Sequence, residues 1–66
     1  MSNLKRIREA NGISQSQLAN LSGVNLRMIQ HYEQGTNDIN KAQGLTLQAL
    51  AIALDCKIEA LLELEK

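Results

Sequence analysis

The 66-residue sequence predicts an all-α fold. Three observations carry that expectation. Apolar residues, 44% of the chain, recur three and four apart rather than alternating. Aromatic residues make up only 2%, and no β-branched run alternates as a half-buried strand would. Glycines and small polar residues interrupt the apolar stripes at short intervals, so the helices are short and closely connected.

The elements follow in order. Leu4, Ile7 and Ala10 recur three apart, Ser2 or Asn3 can cap the start, and Asn11-Gly12 supplies a stop, which gives a first helix over about 3–10. Ser14-Gln15-Ser16-Gln17 reads as a capping box, in which a serine oxygen takes an orphan amide and a glutamine three residues on reciprocates. Leu18, Ala19 and Leu21 follow on one face and Ser22-Gly23 ends the segment, a second helix over about 14–21. Asn25 is a good N-cap for a third helix over about 25–34, with Met28, Ile29 and Tyr32 inward and Gly35 as its stop. Residues 36–43 are polar apart from Ile39 and Ala42 and read as a loop, with a helical turn begun at Asn40. Leu47, Leu50, Ala51 and Leu54 then mark a fourth helix, and Ile58, Leu61 and Leu62 a fifth over about 58–65. The architecture expected is a five-helix globule.

Composition narrows the class. The length suits one domain, 1–66, with a small core. A lone cysteine, Cys56, cannot close an internal disulfide, and it is expected as a small buried hydrophobe between the last two helices. The longest apolar run, residues 49–54, is far short of the roughly 20 residues of a spanning helix, and no signal-peptide apolar region opens the chain. A cytoplasmic protein is the default expectation. The chain starts with Met1 and ends without a linker-like tail, so a whole small protein is expected rather than an excised domain. His31 is the only histidine and has no second ligand at metal-site spacing, so no metal is expected. It reads as an exposed polar residue, able to make binding mildly pH-sensitive. No nucleophile–base pair, glycine-rich phosphate loop or carboxylate cluster stands out, so neither catalysis nor a cofactor is expected.

The informative constellation lies in the second and third helices, both short and joined by three or four residues containing Gly23. Ala19 is small where one helix passes over the other. Gly23 admits the positive φ of a sharp turn, and Ile29 and Tyr32 seat the third helix in the core. This is a helix-turn-helix arrangement. Leu18-Ala19, Ser22-Gly23-Val24, Ile29, Tyr32-Glu33 and Gly35 resemble the Cro/phage-repressor type of helix-turn-helix regulator, also called the xenobiotic-response-element family. Leu4-Lys5-Arg6-Ile7-Arg8, Ile13-Ser14-Gln15, Leu50-Ala51 with Ala53-Leu54, and Ile58 with Leu61-Leu62 extend the resemblance over about residues 3–63. Such families often carry glycine where Asp55 stands and serine or threonine where Lys57 stands, so the joint between the last two helices is expected to be looser here.

The third helix also has a second face, carrying Leu26, Arg27, Gln30, His31 and Gln34 and no acid. Arginine pairs with guanine O6 and N7, glutamine with adenine N6 and N7, and leucine touches a thymine methyl. Asn25, Leu26, Arg27, Gln30 and His31 are therefore the candidate base readers. Gln15, where backbone amides and the positive dipole end face outward, is a candidate phosphate contact. The resemblance implies the same for Gln15 and Gln34, with Asn37 and Lys41 as weaker candidates. It also pairs Arg8 on the first helix with Glu33 on the third, a structural ion pair fixing the reading helix.

One short reading helix contacts few bases, so a homodimer on a two-fold operator is expected, with Ala60 and Leu64 of the last helix as a candidate interface. The other reading of Leu64 is a frayed, exposed end residue. The leading functional expectation is a double-stranded-DNA-binding regulator, most simply a repressor occupying a palindromic operator. The alternative is an antitoxin- or adaptor-type module whose helices bind another protein. The zero net charge at first argues against a DNA binder. Residues 1–36 nevertheless hold four basic and two acidic side chains, and residues 37–66 three basic and five acidic, a net of +2 against −2. The half with the reading helix is mildly basic.

Overall fold

In a computed structural model the described residues are 2–63, and they form five α-helices and one 3₁₀ turn. The helices are α1 (Asn3–Ala10), α2 (Gln15–Ser22), α3 (Leu26–Gln34), α4 (Gly44–Leu54) and α5 (Ile58–Leu61). No strand occurs among the described residues.

Local chemistry sets most boundaries. Ser2 caps α1, its Oγ accepting the Lys5 amide at 3.1 Å. Asn3, the other candidate cap, instead donates its side-chain amide to Leu62 O at 2.8 Å and its backbone N–H to the Glu63 carboxylate. The capping box of α2 is closed in both directions, Gln17 N–H to Ser14 Oγ and Ser14 N–H to Gln17 Oε1. Between α3 and α4 the turn begins one residue before Asn40: Asp38 caps the 3₁₀ segment Ile39–Lys41 through its carboxylate on the Asn40 amide. With this earlier start Ile39 sits in the core, where it is 3% exposed.

Each helix supplies at least one side chain to a single core: Leu4 from α1, Leu18 from α2, Ile29 and Tyr32 from α3, Leu47, Leu50, Ala51 and Leu54 from α4, and Leu61 from α5. Burying a leucine or isoleucine of this kind contributes about 1.5–3 kcal/mol, so α4, with three buried leucines, is the central pillar. α2 packs against both α3 and α4, and α1 packs against α3 and α5.

Two expectations need correction. Met28 is 37% exposed, so α3 inserts only Ile29 and Tyr32, and Met28 falls on the flank. α5 ends at Leu61 rather than near 65, because Leu62 turns to an extended backbone; Leu64 lies outside the described residues. The joint between α4 and α5 is closed by the residues expected to loosen it. Asp55 takes the left-handed conformation itself (φ 54°, ψ 50°), and the Cys56 amide returns to Ala51 O at 3.0 Å. Lys57 does precede α5 without making a side-chain cap.

The short α5 is held by distant amides. The Asn40 side chain donates to Glu63 O at 2.9 Å and accepts the Glu63 amide at 2.8 Å, as a neighbouring strand would. With the Asn3 bonds, this ties the end of the described chain to α1 and to the 3₁₀ turn.

Candidate nucleic-acid interface

Two helices and a left-handed glycine build the candidate interface. Gly23 closes α2 at φ 75°, and its amide returns to Ala19 O at 2.9 Å. A Cβ added there would meet nothing within 4 Å, so the glycine answers to backbone conformation rather than crowding. Ser22 reinforces the turn: its hydroxyl donates to Leu18 O at 2.7 Å and accepts the Val24 amide at 3.1 Å. Ala19 and Val24 are half-buried against the core beside Leu18. Asn25 opens α3, its Oδ1 accepting the Arg27 amide at 2.8 Å, so that oxygen is committed to the backbone.

The outward residues of α3 differ in reach. Arg27 and Gln34 are exposed, whereas Leu26, Gln30 and His31 are half-buried. His31 is therefore not simply exposed. Its Nδ1 is buried without a hydrogen-bond partner, while its carbonyl accepts the Thr36 and Asn37 amides that end the helix. Asn37 and Lys41 are both exposed, one on either side of buried Ile39.

The scaffold beneath this face is ionic. Arg8 meets Glu33 in a bidentate pair, Nε to Oε2 at 2.7 Å and Nη2 to Oε1 at 3.0 Å, with the two side chains 10% and 3% exposed. Its third donor, Nη1, reaches Ile13 O at 2.8 Å in the α1–α2 connection. The hydrogen bond to Glu33 raises the Arg8 pKa above its ordinary value against the opposing effect of burial, so the guanidinium stays charged throughout. Glu33 Oε1 also accepts Gln15 Nε2 at 3.0 Å. One carboxylate thus joins α1, the first residue of α2 and the end of α3.

That bond qualifies the place of Gln15. One of its amide hydrogens is held by Glu33; the second hydrogen and the backbone N–H groups of Gln15 and Ser16 remain for an anion. Sequence reasoning misses the Gln15–Glu33 contact, and no local signal discloses it, since Gln15 opens α2 and Glu33 lies near the end of α3. Near the end of α3, a hollow of about 440 Å³ is lined by Glu33, Asp38 and Glu63 among others, a set unsuited to a phosphate. Ala60 is half-buried in α5. No group of three or more metal-ligating side chains occurs among the described residues, and none of their helices is long and apolar enough to cross a membrane.

A search among curated proteins returns no match. A family model described as helix-turn-helix matches residues 4–61, nearly the whole chain and all five helices. With a capped α2, a left-handed Gly23 and an α3 seated by Ile29 and Tyr32, the chain belongs to the helix-turn-helix family of DNA-binding regulators of Cro/phage-repressor type.

Proposed function

We propose that residues 1–66 act as one cytoplasmic DNA-binding domain that represses transcription, as a homodimer occupying a palindromic operator through the major groove. The observation that carries this reading is the acid-free outer face of α3 on a frame locked by Arg8 and Glu33. Arg27 is the exposed, multi-donor side chain at the start of that face and takes a guanine edge; Gln30 takes an adenine edge and Leu26 a thymine methyl. Asn25 and His31 border these contacts. Gln15, Gln34, Asn37 and Lys41 meet the backbone phosphates on either side, and no cofactor or catalytic step is required.

Selection of bound sequences from random duplex DNA tests the reading. It should return a two-fold site. Arg27→Ala and Gln30→Ala should each relax the selected sequence while leaving the fold intact. With Lys41 as the charged phosphate contact of each copy, a dimer neutralises two phosphates, and log affinity should fall against log salt with a slope of about −1.8. A slope near zero, or double substitution of Arg27 and Gln30 without effect on the biological activity, refutes the DNA reading in favour of a protein-binding module.

A further inference from the structure

Residues 42–54 contain no charged side chain, and α4 within them is apolar on nearly every side. Its inner face fills the core with Leu47, Leu50, Ala51 and Leu54. Its outer face still carries Leu45, 78% exposed, and Ile52, 72% exposed. A single exposed leucine needs no explanation, but a helix apolar all round is ordinarily covered on both sides. Leu45 and Ile52 are seven residues apart, two turns on one face, with exposed Gln48 and half-buried Ala49 between them. We infer that this face docks a second copy of the chain, α4 against α4, antiparallel across a two-fold axis.

The choice of a second copy rests on register, charge and area. In an antiparallel pair centred between positions 48 and 49, Leu45 lies opposite the partner's Ile52, and Gln48 opposite the partner's Ala49. The face is its own complement, as a two-fold contact demands. Two identical charged faces would bring like charges together near the axis, and α4 has none to bring. The exposed surface of α1, with Lys5, Arg6 and Glu9, lacks that property. The area is modest. Eleven residues give a strip about 16 Å long and about 10 Å wide, widened by Met28, which lines one hollow with Leu45 and Ala49. A few hundred Å² is below the roughly 800 Å² per partner of a stable complex. The pair is therefore weak in free solution and closes when a duplex holds two copies side by side. That same hollow also contains Asn25, so the interface borders the first turn of α3 and would set the separation of the two reading helices. This last step rests on the DNA reading proposed above; the interface itself does not.

Sedimentation equilibrium without DNA, over a wide concentration range, tests the interface. The parent chain should dimerise only at high concentration. Ile52→Glu and Leu45→Lys should each abolish the dimer. Combining them should restore it, because the introduced charges face their opposites on both sides of the axis. Both positions are largely exposed, and circular dichroism should show each variant folded. On duplexes carrying one or two copies of the selected half-site, the uncharged Ile52→Gln should keep single-site affinity within about twofold and lose cooperative filling of the double site. A parent that stays monomeric throughout, or an Ile52→Glu chain that dimerises like the parent, overturns the inference. A double variant no better than the single ones overturns the antiparallel register. A parent that dimerises but binds no duplex supports the interface and refutes the DNA reading alone.

Discussion

Glu33→Gln is the substitution whose cost the structure fixes most closely. The carboxylate accepts three hydrogen bonds, from Arg8 Nε, Arg8 Nη2 and Gln15 Nε2, and its side chain is 3% exposed. A glutamine amide can supply one oxygen in place of two. Its NH₂ group takes the other position and points hydrogens at a donor. The Arg8 guanidinium, 10% exposed, then keeps its charge with only a neutral carbonyl, Ile13 O, as a full partner. Removing one member of a buried pair in this way costs about 3–5 kcal/mol. A domain of this length has about 3–10 kcal/mol of stability in all. At about 4–8 °C per kcal/mol, the melting temperature should fall by at least about 12 °C, followed by far-ultraviolet circular dichroism. Replacing both partners, Arg8→Met with Glu33→Leu, should recover most of the loss, since a packed apolar pair avoids the desolvation that the ions bear. On the DNA reading, that double variant should fold yet bind duplex more weakly, because Gln15 has lost the acceptor that ties α2 to α3. A Glu33→Gln chain melting within about 3 °C of the parent would refute the reasoning, since a buried, unpaired guanidinium cannot be that cheap.

Three further outcomes follow from other parts of the fold. Asp55→Gly should stabilise the chain by about 1 kcal/mol, by relieving a left-handed non-glycine residue and removing a carboxylate from the negative end of α4, and Lys57→Ser should add about 1 kcal/mol by supplying the missing cap of α5; urea unfolding of the single and double variants reads both. Burial first, and then Asp55, push the Cys56 thiol up, so the folded state holds that proton more tightly than the unfolded one. Stability should therefore decline as pH rises past the ordinary thiol range, Cys56→Ala should lose that part of the decline, and alkylation at mildly alkaline pH should be slower in the folded protein than in urea. Asn40→Ala removes both bonds to the Glu63 backbone, each worth about 1 kcal/mol or less at an exposed site, and should speed amide exchange over residues 58–63 far more than it lowers the melting temperature.

What the sequence disclosed and what it hid divide by distance along the chain. Helix boundaries written in nearby residues were legible: the starts at Ser14 with Gln17 and at Asn25 before Arg27, and the stop at Gly23 after Ala19. The central stripe of α4 was legible because four buried residues recur at one period. Met28 was not. It stands next to Ile29, and which of two adjacent apolar residues faces inward depends on how α3 tilts against α2 and α4, information absent from α3 itself. The extent of α5 escaped for the same reason, since Asn3 and Asn40, some 60 and 23 residues away, receive the chain where the helix ends. At the interface, residue types were legible but their exposure was not. Arg27 and Gln34 stand clear, while His31 turns a buried nitrogen inward, a difference set by neighbours on other elements.

The same frame bears on how so small a protein could discriminate between sequences. A reading helix of nine residues offers few base contacts, so each must arrive in register rather than by adjustment. Glu33 supplies that register: through Arg8 it fixes α3 to α1, and through Gln15 it fixes the start of α2. A phosphate met at the first turn of α2 and a base met by α3 would then be held at one separation. Neutral overall charge works in the same direction. With a net charge of zero, sequence-independent attraction to DNA is weak, so a single copy should leave wrong sites quickly. On the proposed dimer, tight binding would come from two copies engaged together, and a weak α4–α4 contact would contribute only where both half-sites are correct. A stronger dimer, such as one made by enlarging Ala49 to leucine, should therefore raise affinity for single and mismatched sites along with the correct one. Comparing the ratio of correct to mismatched affinity in Ala49→Leu and in the parent checks this. An unchanged ratio in the stronger dimer would show that discrimination lies within α3 alone.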